Sequence, residues 1–150
     1  MKAPLPIVGG CACGAVRYEA TVQPLMVTVC HCTTCQRRTG SAFAMTMPIA
    51  RASFRLTSGQ TISRTLPTAS GSTNTHYFCE ACLVRTHTEP ASNDSLIFIR
   101  PGTLDDPSWI TPIAQIWTRS AHRWALADGV DCIEQNPPDP AALVRAWREG

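Results

Sequence analysis

The chain has 150 residues, 44% of them apolar, and a formal net charge of +2. This composition excludes a disordered chain, and the length suits one hydrophobic core, so we expect a single domain over residues 1–150. The small charge is spread over single and paired basic residues, and it therefore does not predict binding to nucleic acid.

The start of the chain bears on location. Pro4 and Pro6 interrupt the first residues, which lack the apolar core of a signal peptide, and no segment is apolar enough to cross a bilayer. We therefore expect a cytoplasmic protein with no membrane partner. Cysteines in the reducing cytosol stay free or bind metal, so the eight cysteines predict metal sites rather than disulfides.

Short apolar or alternating runs, separated by turn residues, predict β-strands through most of the chain. The predicted strands are residues 16–22, 25–29, 43–47, 54–56, 76–78 and 96–99. We expect Pro48 to end the third of them, because proline cannot donate to a sheet. These elements predict a mostly β fold.

A helix is predicted at the C-terminus. Asp139 can cap it, Pro140 suits its first turn, and Leu143, Val144 and Trp147 fall on one face. A short helical turn is also expected after residue 35. Elsewhere we expect His87 at the surface, Trp124 in the core, and Cys132 as a small buried apolar residue.

Seven of the eight cysteines fall in three clusters. The clusters are Cys11 with Cys13, then Cys30, Cys32 and Cys35, then Cys79 with Cys82. Cysteines two or three residues apart can present two sulfurs to one tetrahedral ion from a single turn, which favours zinc. A redox dithiol is less favoured, because no βαβ unit surrounds the pairs. Spacing alone does not exclude an iron–sulfur cluster on these cysteines.

Seven thiolates cannot fill two four-sulfur sites, so one site must be incomplete or borrow another ligand. The triple at residues 30, 32 and 35 is compact enough to bind an ion by itself, and the two pairs would then join across the fold. A closed four-thiolate site is structural, whereas three ligands and an open position are typical of catalysis. Spacing alone does not determine which clusters join.

Several longer motifs point to one family. They are GGCACGAVRY at 9–18, CHCTTCQRRTGSAF at 30–43, FCEAC at 78–82 and GTLDDP at 102–107. They resemble the glutathione-dependent formaldehyde-activating family, over a core of about residues 9–130. The resemblance implies a zinc-stabilised β-tent domain of stacked antiparallel sheets with a short C-terminal helix.

The resemblance also implies two zinc ions and their ligands. Cys11, Cys13, Cys79 and Cys82 would hold a structural zinc. Cys30, Cys32 and Cys35 would hold a catalytic zinc. The implied activity is that of a carbon–sulfur lyase or synthase, which joins glutathione and formaldehyde into S-(hydroxymethyl)glutathione.

Substrate contacts are expected next to the second cluster. Arg37 and Arg38 suit the carboxylates of glutathione, and Thr39 and Gly40 offer backbone N–H groups to an anion, although contacts within the fold explain these residues equally well. The alternative function is a non-catalytic zinc-binding module for a protein or peptide partner. The sequence predicts no oligomeric state.

Three positions depart from the family pattern. Leu83 stands where glycine is usual, at a point where a tight turn around the metal would suit glycine. His76 stands where arginine is common, and Gln115 where histidine is common. We expect the first departure to affect the structural site and the other two to affect substrate choice.

Overall fold

The computed structural model describes residues 3–150 and consists mostly of β-strands. Over that range the strands are β1 (Ile7–Gly10), β2 (Arg17–Ala20), β3 (Thr28–Cys30), β4 (Ala44–Ala50), β5 (Phe54–Ser58), β6 (Thr61–Pro67), β7 (Thr73–Cys79), β8 (Arg85–Pro90), β9 (Leu96–Ile99), β10 (Ala114–Ile116) and β11 (Asp131–Ile133). The α-helices are α1 (Thr33–Thr39) and α2 (Pro140–Glu149). The mostly β fold predicted from the sequence is confirmed, and α1 begins two residues before Cys35 rather than after it.

The strands form two sheets. One has three strands in the order β1-β2-β5, and the other has eight in the order β11-β10-β3-β4-β9-β8-β7-β6. The pairs are antiparallel, as expected, except that β10 runs parallel to both β3 and β11. The parallel pairing places Ile116 beside Cys30, at the C-terminal ends of β10 and β3, where the second cysteine cluster begins.

Apolar side chains from both sheets meet in one core. The buried members are Ala3, Ile7, Tyr18, Ala20, Val27, Met47, Ile49, Ile97, Ile99, Leu104 and Trp147. Gly9 makes the close approach of β1 to this core possible, because a Cβ there would overlap the Tyr18 hydroxyl group. That hydroxyl lies 2.7 Å from Thr103 Oγ1. The two sheets therefore share one apolar core.

The C-terminal helix forms as predicted. The Asp139 Oδ1 atom accepts a hydrogen bond from the Ala142 N–H at 3.1 Å, and Pro140 occupies the first turn. Trp147 is the buried residue of this helix and joins the core, whereas Leu143 and Val144 are partly buried.

Pro48 does not end β4, which is a correction to the sequence prediction. The Pro48 carbonyl accepts from the Leu25 N–H at 2.9 Å, on the side where β3 has not yet begun. The missing proline N–H faces that same side, so no ladder hydrogen bond between paired strands is lost. The strand can therefore continue through Pro48 to its partner β9, where Pro48 lies opposite Phe98.

Three other expectations are wrong. His87 is only 4% exposed, because β8 lies between β7 and β9 and turns polar side chains inward. Trp124 is 80% exposed and stacks on His122 rather than joining the core. Cys132 is exposed on the edge strand β11. Over residues 3–150, no helix combines the length and apolar character that a membrane crossing requires.

Candidate metal centres and the adjoining cavities

The turn after β1 and the turn after β7 bring four cysteines together. The Sγ atoms of Cys11, Cys13, Cys79 and Cys82 all lie within 4.8 Å of one another. Cys11 and Cys13 are 3.5 Å apart at sulfur, and Cys13 and Cys79 are 3.7 Å apart. Sulfurs around a tetrahedral zinc ion are about 3.8 Å apart, given a Zn–S bond of about 2.3 Å. The four-sulfur cluster therefore fits a closed tetrahedral site.

The two turns have similar backbone geometry. The Cys11 N–H donates to the Val16 carbonyl at 3.0 Å, and the Cys79 N–H donates to the Val84 carbonyl at the same distance. Leu83 completes the second turn with a positive φ of 59°, the left-handed region that glycine adopts most easily. The departure at Leu83 therefore falls at a position whose backbone would suit glycine, as the sequence indicates.

A second group of three sulfurs forms where β3 passes into α1. Cys30 ends β3, and Cys32 caps α1 by accepting a hydrogen bond at Sγ from the Cys35 N–H at 3.3 Å. The three Sγ atoms lie within 4.8 Å of one another. Within residues 3–150, no fourth cysteine, histidine or carboxylate joins this group. The three-sulfur cluster therefore offers a metal three ligands.

Crowding of these sulfurs shifts their protonation. Hydrogen bonds from Cys30 and Cys35 lower the pKa of Cys32 to about 2. Hydrogen bonds to Cys32 and Cys35, together with burial, raise the pKa of Cys30. Three thiolates at this separation repel one another unless a cation lies between them, and a bound metal deprotonates coordinating thiols. The donor set thus suits a soft divalent ion.

His31 lies between two of these cysteines but does not join them. It is fully buried, its Nε2 atom is 3.3 Å from Gln115 Oε1, and its ring packs edge-on against Phe43. Gln115 in turn accepts from the Ala127 N–H at 2.8 Å and donates to the Ala127 carbonyl at 3.0 Å. Gln115 therefore ties two chain segments together, and it lines neither of the cavities described next.

The three-sulfur cluster opens into one cavity, and a second cavity shares part of its wall with the first. The first, of about 260 Å³, is lined by Cys30, Cys32 and Cys35 together with basic side chains. The second, of about 430 Å³, has Phe43 and Leu83 on its walls. None of the cysteines of the four-sulfur cluster lines either cavity. The two clusters thus differ in ligand number and in whether either of these cavities opens onto them.

The four residues predicted to bind substrate are placed differently. Arg38 lines both cavities, whereas Arg37 is exposed and lines neither. Thr39 lines the second cavity, but its hydroxyl group already donates to the Cys35 carbonyl at 2.9 Å. Gly40 caps α1 in the left-handed conformation, and its N–H donates to the Gln36 carbonyl at 2.9 Å. Of the four, only Arg38 lines the cavity that contains the three cysteines, where its guanidinium also contacts His76 and donates to the Pro67 carbonyl.

Two further basic residues line these cavities and are not predicted from the sequence. Arg85 begins β8 and Arg100 follows β9, and both line both cavities. His76, one of the departures, lines the first cavity beside them. No motif singles out Arg85 or Arg100, because strand pairing rather than sequence proximity brings them to the cysteines.

The fold and site together define a mostly β protein with two cysteine clusters that could hold metal ions, one of four sulfurs and one of three sulfurs that opens into a cavity. A family model described as "Glutathione-dependent formaldehyde-activating enzyme" matches residues 6–120, and the chain belongs to this family. The fold is also similar to the crystal structure of a Rhodobacter sphaeroides protein, at 23% identity and a TM-score of 0.52. That match covers 71% of this chain and 92% of the other.

Proposed function

We propose that this chain is a zinc-dependent carbon–sulfur lyase or synthase that acts on glutathione and formaldehyde, or on a related glutathione–aldehyde adduct. Its membership of the family supports a glutathione- and formaldehyde-related activity. The observation that carries the finer proposal is the difference between the clusters. The three-sulfur cluster opens into a cavity of about 260 Å³, and the four-sulfur cluster does not.

The proposal assigns one zinc ion to each cluster. Cys11, Cys13, Cys79 and Cys82 would hold a structural ion in a closed site, since four protein thiolates leave no position for a ligand. Cys30, Cys32 and Cys35 would hold the second ion and leave one position free. An ion there supplies positive charge that keeps the sulfur of an incoming thiol deprotonated at neutral pH.

The protein's own residues would position the two reactants. The cavity beside the three sulfurs admits the thiol end of glutathione, and Arg38 on its wall is available to a carboxylate. In the reaction, a sulfur lone pair forms the new bond to the formaldehyde carbon. The carbonyl π electrons move to oxygen, which takes up the proton that the thiol has lost. Roles for Arg37, Thr39 and Gly40 stay predictions.

The test is zinc analysis of the purified full chain combined with a glutathione titration. We expect about two zinc ions per chain and saturable binding of glutathione. Cys32→Ser should lose about one ion and the glutathione site while keeping the far-ultraviolet circular dichroism of the wild type. Cys132→Ser is the matched control, because Cys132 is exposed and belongs to neither cluster. Normal glutathione binding by Cys32→Ser would refute the open-site assignment.

Turnover needs its own measurement, because thiols add to formaldehyde without any enzyme. The rate of adduct formation with protein present should exceed the spontaneous rate, and Cys32→Ser should return it to that rate. A protein that holds zinc and folds with it, but never exceeds the spontaneous rate, would instead support the non-catalytic zinc module.

We also propose a single domain working in the cytoplasm, where its eight free cysteines would stay reduced.

A further inference from the structure

Three guanidinium groups converge on the wall that the two cavities share. We call Arg38, Arg85 and Arg100 the arginine triad; all three line both cavities. Arg85 Nη1 lies 2.9 Å from His76 Nδ1, and Arg38 Nη1 lies 3.3 Å from His76 Nε2. The triad therefore concentrates positive charge beside the three-sulfur cluster.

In the described part of the chain, no acidic side chain offsets this charge. Within residues 3–150, four other arginines pair with carboxylates: Arg17 with Asp105, Arg51 with Glu89, Arg55 with Glu19, and Arg145 with Asp139. The triad has no such partner in the same part of the chain, and no aspartate or glutamate there lines either cavity. The counter-charge must come from the cysteine sulfurs and from something that enters the cavities.

Arg100 is held by uncharged groups. It donates to the Met45 carbonyl at 3.1 Å and to Thr88 Oγ1 at 3.2 Å. Its Nε atom is buried and, among residues 3–150, has no hydrogen-bond partner. Burial and the neighbouring Arg85 lower the pKa of Arg100 to about 9. A cation this poorly compensated is costly to bury unless an anion accompanies it.

His76 cannot satisfy both of its arginine neighbours. Burial, followed by the charges of Arg85, Arg100 and Arg38, lowers the pKa of His76 to about 3, so the ring is neutral at physiological pH. A neutral imidazole has one acceptor nitrogen, yet Arg85 and Arg38 approach opposite nitrogens. At least one of these guanidiniums therefore keeps a donor free for another acceptor.

We infer that the arginine triad is an anion site that binds a carboxylate of the ligand that reaches the three-sulfur cluster. The inference rests on the proposed function, which places a thiol at Cys30, Cys32 and Cys35. A dication with three thiolates carries one net negative charge. A fourth thiolate and one carboxylate bring the negative charge to the level that the three guanidiniums of the triad can balance. The carboxylate can belong to the thiol or to the carbonyl compound.

The experiment compares glutathione with its diethyl ester, which keeps the sulfur and loses both carboxylates. Dissociation constants are measured by calorimetry on the zinc-loaded full chain, for the wild type and for Arg85→Gln and Arg38→Gln. Arg148→Gln is the control, since this substitution removes the same charge from an exposed position on α2. Zinc content and circular dichroism verify folding, and either triad variant suffices if the other does not fold.

We expect the wild type to bind glutathione about tenfold more tightly than the diester, and Arg85→Gln to remove that preference while Arg148→Gln keeps it. A second arm compares the dissociation constants of two 2-mercaptoethanol adducts, one formed with glyoxylate and one formed with formaldehyde. If the triad variants weaken only the glyoxylate adduct, the anion belongs to the carbonyl compound. If the triad variants change neither preference, the inference is wrong, even where turnover supports the proposed function. A preference for glutathione without turnover would uphold the anion site and refute the reaction.

Discussion

Replacing Leu83 with glycine tests the backbone at the turn that holds Cys82. Leu83 has a φ of 59° and a side chain that is 65% exposed. A residue with a Cβ atom in this left-handed conformation carries a steric cost of roughly 1–2 kcal/mol. Because the side chain is mostly solvated, its removal forfeits little buried surface. The substitution therefore mainly relieves the backbone.

Glycine also has a cost, because the unfolded chain gains conformational freedom worth roughly 0.5–1 kcal/mol. The difference between the two effects predicts that Leu83→Gly raises the free energy of unfolding by about 0.5–1 kcal/mol. For a chain of this size, a change of 1 kcal/mol moves the melting temperature by about 2–4 °C. We therefore expect a rise of about 1–4 °C.

The assay is thermal and urea unfolding of zinc-loaded protein at a fixed zinc concentration. Leu83→Ala is the matched control, because it removes the exposed side chain but keeps the Cβ atom and its steric cost. Because only glycine lacks the Cβ atom, Leu83→Gly should be more stable than Leu83→Ala. If the alanine variant is equally stable or more stable, the left-handed backbone is not the source of strain.

Three further changes probe the core. Ile49→Ala empties a site with 0% exposure and should lower the free energy of unfolding by about 2–5 kcal/mol; a loss below 1 kcal/mol in urea would contradict the packing. Tyr18→Phe removes the hydroxyl 2.7 Å from Thr103 Oγ1 and should cost about 1 kcal/mol in the same assay, and no loss would mean that this bond adds nothing. Burial lowers the pKa of His87 from 6.5 to about 4. Between these two pH values the His87 ring is therefore protonated in the unfolded chain but neutral in the folded protein. Stability should fall as pH drops from 6.5 toward 4, and His87→Phe should flatten that decline by up to about 3 kcal/mol; an unchanged slope would refute the assignment.

The apolar pattern predicts β9, in which every side chain is apolar, but misses the short strands β1 and β10. Residues 96–99, Leu-Ile-Phe-Ile, coincide with β9, and the capping signals at Asp139 and Pro140 coincide with the start of α2. β8 is missed because its sequence, RTHTEP, has no apolar alternation although Thr86, His87 and Thr88 are buried. A polar strand enclosed by two neighbours is stabilised by its pairing, which local sequence does not reveal.

The same contrast applies to the candidate site. Cys30, Cys32 and Cys35 are close in sequence, so their spacing alone predicts that their sulfurs meet. Arg85 and Arg100 reach the same cavity because β9, the hairpin partner of β8, pairs with the distant strand β4, which in turn pairs with β3 and Cys30. Exposure of Trp124 and Cys132 depends in the same way on where the last segments lie relative to the sheets.

The two clusters also become complete at different times while the chain is being made. The three-sulfur cluster has all its cysteines once residue 35 is added, but Cys13 meets Cys79, which is 66 positions later. At a synthesis rate of about 5–20 residues per second, that gap is on the order of 3–13 s. Through those seconds Cys11 and Cys13 are a thiol pair without partners. The nascent chain is therefore most susceptible to oxidation, or to binding of an incorrect metal, at its first two cysteines.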